Sequence, residues 1–218
     1  MFTAGTDITT AVTDLINAAV SIFLMCRLIG RGANQKRDVL WVISFALFIL
    51  VSITGFFIHG LAAAADPDIN QILRRILVVE LAFMMTFFMV SVLCDVYGEA
   101  ILRRALPVCL TIGTVFSVVA LIIMFLTTYR NGFTVFVVYC VACLLVMIVI
   151  LIKHRHDHKA LDLYLTAAIL LAIANCVQTL KFIEFTLVWD FNYDSVYHWI
   201  LLIFVLVQYT GIRRRETR

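Results

Sequence analysis

Asp194 and His198 stand four residues apart, at the point where the last long apolar stretch of the chain begins. On a helix this spacing puts a carboxylate and an imidazole on one face, one turn apart. Ionisable side chains are costly inside a bilayer, so they usually face the interior of a helix bundle, where they bind ligands, relay protons or hold a metal ion. A second histidine, His59, ends an earlier apolar stretch. These residues raise the hypothesis of a metal site inside a membrane protein.

The predicted site is a zinc centre. Two imidazoles and a carboxylate form a plausible three-ligand set for catalytic zinc, which keeps a fourth position open for water. We predict His59, His198 and Asp194 as the ligands, with Glu80 of a third apolar stretch as the general base. In the alternative assignment Glu80 is the third ligand, and Asp194 is the base or hydrogen-bonds a ligand. Spacing alone does not single out a metal site, because every Asp-x-x-x-His helix has this geometry.

The composition is that of an integral membrane protein. The chain has 218 residues, of which 63% are hydrophobic and only 14% are charged, and its mean hydropathy is +1.04. A soluble domain typically has about 25% charged residues. The net charge of +3 comes from bases in short loops beside apolar stretches, so it does not indicate nucleic-acid binding. The length predicts a single domain over residues 1–218.

Seven segments are long and apolar enough to cross a bilayer, which needs about 20 residues per helix. They predict an all-α fold, a bundle of seven transmembrane helices joined by short connections. The segments lie at about 8–29, 39–60, 72–94, 105–127, 132–152, 161–188 and 194–212.

The basic residues outside these segments predict the orientation, because cytoplasmic loops are enriched in Lys and Arg. One side has Arg31, Lys36, Arg37, Arg103, Arg104, Lys153, Arg155, Lys159, Arg213, Arg214, Arg215 and Arg218, and the other has Arg74, Arg75 and Arg130. We therefore expect a multi-pass protein with its C-terminus in the cytoplasm and its N-terminus outside.

With that orientation, polar residues of five segments fall in the outer half of the membrane, where they predict a polar cavity that faces the extracytoplasmic side. The alternative is a hydrogen-bonded network that only holds the helices together. The residues are Asp14, Asn17, Ser52, His59, Glu80, Asn175, Gln178, Lys181, Glu184, Asp194 and His198. The fourth and fifth segments have few polar residues, and we expect them to face lipid.

Two further motifs, a cysteine pair and a row of histidines, are better explained by structure than by chemistry. Cys140 and Cys143 match the C-x-x-C spacing of redox and zinc sites, but they lie in an apolar segment with no basic neighbour, which favours buried structural thiols. His154, His156 and His158 alternate in a short basic loop, which we interpret as a solvated loop between segments.

The pattern resembles the superfamily of seven-helix membrane hydrolases that includes alkaline ceramidases, adiponectin-type receptors and haemolysin III-like proteins. Its members share a Ser and a His on the second helix, an Asp near the third, and H-x-x-x-H at the start of the seventh. Here Ser-Ile-Thr-Gly-Phe-Phe-Ile-His59 resembles the first motif and Asp-Ser-Val-Tyr-His198 the last. Asp194 replaces the first His of that pair, and Gly55 stands where the serine is expected, with Ser52 on the same face. No Asp stands at the expected position near the third helix.

The resemblance implies a zinc-dependent hydrolase that acts on a membrane lipid amide or ester, with Ser52 as a further catalytic residue. Two alternatives remain. One is a non-enzymatic bundle that binds a lipid or a small ligand in the same cavity. The other is a proton-coupled transporter with Glu80, Lys181 and Glu184 as a relay, against which the lack of an inverted repeat counts.

Overall fold

The computed structural model describes residues 5–32, 35–62, 67–180, 185–186 and 190–215. The α-helices of this part of the chain are α1 (Gly5–Ile29), α2 (Lys36–Phe56), α3 (Pro67–Tyr97), α4 (Leu102–Leu126), α5 (Tyr129–His154), α6 (Lys159–Leu180) and α7 (Tyr193–Arg215). A π-helical turn, Phe57–Ala62, continues α2, and a 3₁₀ turn, Glu99–Ile101, precedes α4. Strands β1 (Phe185–Thr186) and β2 (Asp190–Phe191) pair antiparallel before α7.

All seven helices are long and apolar enough to cross a membrane, which confirms the predicted all-α bundle of seven long apolar helices within the described residues. α1, α2 and α3 pack in sequence, as do α5, α6 and α7, and the set closes where α7 meets α1. α3 is the most buried helix and α4 the least. This low burial agrees with the expectation for α4, and its contact with lipid stays a prediction. α5 instead exposes one apolar face and buries the other, including Cys140 and Cys143.

The prediction of a sixth helix over 161–188 is wrong at its end. α6 stops at Leu180, and Phe185 and Thr186 form a strand instead. Hydropathy does not mark this stop, because apolar residues resume after the polar Gln178 and Thr179. Lys181 and Glu184 lie outside the described residues.

Asn192 fixes the start of α7. Its side-chain Oδ1 accepts a hydrogen bond from the Ser195 backbone N–H at 2.9 Å, which satisfies one of the free amides of the first turn. The short hairpin and this cap place His198 in the second turn of α7, level with the end of α2.

Arg74 and Arg75 lie near the start of α3, on the side of the bundle that has few bases. The Arg74 guanidinium is 4.8 Å from the centroid of the Tyr129 ring, and that of Arg75 is 4.0 Å from the Phe125 ring. Cation–π contacts of this kind stabilise a cation beside an aromatic face. They account for two arginines that are otherwise unexpected on this side.

Candidate metal centre

His59 lies in the π-helical turn that continues α2. A π turn widens the helix locally and redirects the side chains that follow it, and such turns are frequent at functional sites. The centroid of the His59 ring is 5.9 Å from that of His198 on α7. This confirms the predicted convergence of the two histidines from the second and seventh helices.

The carboxylate that joins the two histidines belongs to Asp14 of α1. One potential ligand atom from each of Asp14, His59 and His198 lies within 4.8 Å of the others. Asp14 Oδ1 is 3.3 Å from His198 Nδ1. Two ligands of tetrahedral zinc, each bound at about 2.0–2.1 Å, are about 3.3–3.4 Å apart. The three residues can hold a metal ion with small movements of their side chains.

The environment of Asp14 fits a cation. The residue is only 4% exposed, and its Oδ2 atom is buried without a hydrogen-bond partner in the part of the chain that the structure describes. A buried carboxylate oxygen without a partner is costly, and such an atom in a native fold calls for an explanation. A metal ion bound between Asp14 and the histidines would compensate this oxygen. The donor set, two imidazoles and a carboxylate, is one that zinc accepts.

A polar face of α1 holds α7 in this position. Thr10, Thr13, Asp14 and Asn17 recur at the spacing of one helical face. Thr13 Oγ1 is 3.2 Å from His198 Nδ1, and Asn17 Nδ2 donates to the His198 carbonyl at 3.0 Å. Thr10 is hydrogen-bonded to Ser195 at 3.0 Å. Residues of α1 thus determine where the His198 ring lies.

Gly55 makes room for the Asp14 carboxylate. A Cβ atom at this position would lie 2.7 Å from Asp14 Oδ2 and 2.9 Å from Oδ1. The side of α2 that faces α1 therefore needs a residue without a side chain at 55. Gly55 also stands where the resembling hydrolases have a serine, and here the adjacent space is filled by the carboxylate of α1.

One comparison with known proteins gives a match, and it covers nearly the whole chain. Residues 9–217 match DUF6962, a family of unknown function. The chain belongs to this family. The matched region contains Asp14, His59 and His198. No curated protein and no solved structure matches the chain. The family assigns no activity, so the resemblance to the seven-helix hydrolases stays a prediction.

In this DUF6962 member the structure separates Asp194 from the group of three. Asp194 Oδ1 accepts a hydrogen bond from Gln178 Nε2 of α6 at 2.6 Å. The spacing of Asp194 and His198 suggested a shared face. His198 contacts α1, however, whereas Asp194 contacts α6, because α7 packs between these two helices. Asp194 remains close enough to interact electrostatically with Asp14, but Asp14 supplies the carboxylate that lies with the histidines.

Glu80 and Ser52 do not belong to the group of three. Glu80 is half-buried on α3, which packs against the π-helical turn that carries His59. Its Oε2 atom is buried and has no hydrogen-bond partner among the described residues, and its carboxyl group interacts with Thr54, the neighbour of Gly55. Ser52 is buried on α2, two turns before His59.

Neither of the two further sequence motifs forms a site within the described residues. Cys140 and Cys143 are buried, free thiols, as predicted. The loop histidines make separate local contacts: His154 with Asp157 at 2.8 Å, His156 with Arg155 at 3.2 Å, and His158 with the Ala160 amide at 3.0 Å.

Gly55→Ala tests the position of the Asp14 carboxylate. The added Cβ would displace the tip of that side chain. We expect zinc affinity to fall about 10–100-fold, the effect usual for a residue that orients a ligand. Competition with a chromophoric chelator measures this affinity. Gly113→Ala is the matched control, because its Cβ meets the Thr86 hydroxyl, away from the centre. Equal zinc affinity of the two variants would contradict the proposed position.

Proposed function

We propose that this protein is a metal-dependent integral membrane hydrolase, in which Asp14, His59 and His198 hold zinc and the substrate is a membrane lipid amide or ester. The observation that carries the proposal is the approach of three potential ligand atoms to within 4.8 Å from three separate helices. Two of the three residues are nearly inaccessible, with Asp14 4% and His198 8% exposed. Buried ionisable residues of different membrane helices that converge in this way usually have a function.

Asp14, His59 and His198 would hold the zinc ion, which would supply a Lewis acid for activating water and polarising a substrate carbonyl. The residues of the chain orient the reactants and move protons. Asn17 holds the His198 backbone through a hydrogen bond to its carbonyl, and the Thr13 hydroxyl lies beside the ring. The Glu80 carboxylate, whose buried Oε2 has no hydrogen-bond partner among the described residues, is the general base. It takes a proton from the attacking water and returns it to the leaving amine or alcohol. The acyl–nitrogen or acyl–oxygen bond breaks, and a fatty acid is released.

The surroundings of the centre favour a lipid substrate. The outer faces of the helices are apolar, with large exposed side chains that include Leu15, Ile53, Ile76 and Ile203. A substrate that reaches His59 and His198 from the bilayer must itself be apolar. The resemblance to alkaline ceramidases adds the expectation of an amide, although Asp194 and Gly55 depart from that pattern.

The metal centre faces the extracytoplasmic side in this proposal, since the basic residues of the other end indicate the cytoplasm. We expect a cysteine at Arg130 to react with a membrane-impermeant maleimide on intact cells, and one at His156 to react only after permeabilisation. Both residues are exposed: Arg130 lies in the first turn of α5, and His156 lies in the turn that follows its other end. The background carries Cys26→Ser and Cys176→Ser, since these two thiols are exposed. Labelling of His156→Cys on intact cells would contradict the predicted orientation and indicate the opposite one.

A comparison of the variants Asp14→Asn and Asp194→Asn tests the proposed function. Each variant replaces one carboxyl group with an amide of the same shape, and the two positions interact with each other. We expect Asp14→Asn to lose zinc and the release of fatty acid from a fluorescent N-acyl lipid in micelles. We expect Asp194→Asn to retain zinc and to lose less activity. The proposed function would be refuted if the Asp14→Asn variant still hydrolysed the lipid, or if a zinc chelator did not lower the rate of the wild-type protein.

The alternative is a non-enzymatic bundle that binds a lipid or small ligand. One observation favours it: hydrogen bonds of Thr10, Thr13 and Asn17 already join α1 to α7, which is what a purely structural polar network would do. In that case zinc would not raise the unfolding temperature, and no lipid amide or ester would be cleaved. The transporter hypothesis gains no support, because Lys181 and Glu184 lie outside the described residues.

A further inference from the structure

Arg74 lies on α3 at the same end of the bundle as the candidate metal centre. This is the end at which α3, α5 and α7 begin and the π-helical turn that contains His59 ends. The Arg74 guanidinium acts electrostatically on the His59 ring. The next residue, Arg75, instead lies against the Phe125 ring of α4. The charge of Arg74 therefore acts on the candidate metal centre.

The direct polar contacts of Arg74 are with uncharged groups in the part of the chain that the structure describes. Its Nε atom donates to Asn70 Oδ1 at 2.6 Å. Its guanidinium is 4.8 Å from the centroid of the Tyr129 ring and also interacts with the Tyr129 hydroxyl. No carboxylate of the described residues forms an ion pair with it. Its positive charge is thus not neutralised by direct contact with any described side chain.

Arg215, at the opposite end of the bundle, shows the contrast with a neutralised arginine. Its guanidinium is bonded to the carboxylates of Asp38 and Asp95, and these three residues form the cluster around Arg215. Arg74 is also partly withdrawn from water, since its side chain is half-buried. A cation withdrawn from water is costly unless it is paired. An anionic group of a ligand would supply the counter-charge that Arg74 lacks among the described residues.

The position of Arg74 along α3 relates it to the polar end of a bound lipid. Arg74 stands six residues before Glu80, the proposed base, and therefore about 9 Å nearer to this end of the bundle. A lipid whose acyl chain stays among apolar side chains keeps its polar end toward the membrane surface. The leaving-group side of the scissile bond would then meet Arg74. A carboxylate one carbon from an amide nitrogen fits this short distance.

We propose that Arg74 determines substrate specificity by binding a carboxylate on the leaving group, so that the substrate class is an N-acyl amino acid. This proposal rests on the function proposed above and names its substrate. A guanidinium group pairs with a carboxylate through two parallel hydrogen bonds. In the reaction, water adds across the acyl–nitrogen bond. The acyl carbon keeps the hydroxyl group, and the nitrogen of the released amino acid takes the second proton.

Two lipids that differ in one group test the proposal. N-palmitoylglycine has the carboxylate, and N-palmitoylethanolamine has a neutral alcohol in its place. The hydrolysis of each lipid is measured in micelles of a neutral detergent for the wild-type protein, Arg74→Gln and Arg74→Lys. Arg75→Gln is the matched control, because Arg75 is the neighbouring arginine, is also half-buried and also lies against an aromatic ring.

We expect the wild-type protein to have the higher kcat/KM for N-palmitoylglycine. Arg74→Gln should lower this kcat/KM about tenfold or more, the usual effect of losing a charged hydrogen bond, and should change that for N-palmitoylethanolamine much less. Arg74→Lys keeps the charge without the fork, so it should keep part of the preference. Arg75→Gln should behave as the wild-type protein. An equal effect of Arg74→Gln on both lipids would overturn the proposal.

A binding measurement separates this proposal from the proposed hydrolysis. The unfolding temperature in the presence of a zinc chelator is followed against each lipid, since a bound ligand stabilises the folded protein without any reaction. We expect N-palmitoylglycine to stabilise the wild-type protein and Arg75→Gln more than Arg74→Gln, and N-palmitoylethanolamine to stabilise all three equally.

Each combination of results has a distinct meaning. Binding of N-palmitoylglycine that depends on Arg74, without hydrolysis of either lipid, would refute the proposed function and support the carboxylate site. Hydrolysis of both lipids at equal rates, with binding that does not depend on Arg74, would support the hydrolase and overturn the carboxylate site. Neither binding nor hydrolysis of either lipid would refute both proposals.

Discussion

Replacing either His59 or His198 with alanine is expected to remove the metal ion from the purified protein. Each substitution leaves two of the three proposed ligands, which is too few for tight binding of zinc. We expect metal content to fall from about one ion per chain to a trace, and hydrolysis of a lipid amide to be lost with it. Elemental analysis after dialysis against a weak chelator measures the first effect, and fatty-acid release the second.

His156→Ala is the control for this experiment, because His156 is exposed in the loop between α5 and α6. It should keep both metal and activity. His198 also contacts Thr13, so its loss weakens the packing of α1 on α7 as well. The unfolding temperature of each variant without metal separates this effect from metal loss. Full metal occupancy in His59→Ala would show that the ion binds at another place in the protein.

Glu80→Gln is expected to lower the rate of hydrolysis by about 10²–10⁴ while the metal is retained, the effect of losing a general base. The amide keeps the shape of the side chain but does not take up the proton of the attacking water. Glu80 has a buried oxygen without a partner in the described part of the chain, and it lies outside the group of three. Metal content and rate measured on one preparation decide between base and ligand.

Asp162→Asn is a suitable control, since Asp162 is exposed in the first turn of α6, far from the centre. It should change neither the metal content nor the rate of hydrolysis. If Glu80→Gln loses metal and activity together, Glu80 is a ligand and the assignment of Asp14 needs revision. If it changes neither, Glu80 has no part in the reaction.

The depth of polar residues could be predicted from the sequence, whereas their direction around each helix could not. Hydropathy located the seven spans, and depth alone brought His59 and His198 together, as their 5.9 Å ring separation confirms. The same reasoning put Asp14 at this depth. The local spacing of Asp194 and His198 drew attention to Asp194, however. The rotation of α7, set by its contacts with Gln178 on one side and Thr13 on the other, decides which carboxylate meets the histidine.

A signal for Asp14 was nevertheless present in the sequence. Thr10, Thr13, Asp14 and Asn17 form one polar face on an otherwise apolar helix, and a helix in a membrane turns such a face toward its neighbours. The cluster around Arg215 had no comparable signal. Its partners Asp38 and Asp95 lie 177 and 120 residues away in sequence, and Arg215 is one of several bases at the end of the chain. Only the packing of α2, α3 and α7 brings them together.

X-ray absorption at the zinc edge of the purified protein, loaded with one equivalent of zinc, measures the proposed ligands directly. We expect nitrogen and oxygen neighbours at about 2.0–2.1 Å, with the outer-shell scattering of two imidazole rings from His59 and His198. Sulfur neighbours at about 2.3 Å would place the ion at cysteines such as Cys140 and Cys143 instead. That result, or protein that retains no zinc, would contradict a metal centre formed by Asp14, His59 and His198.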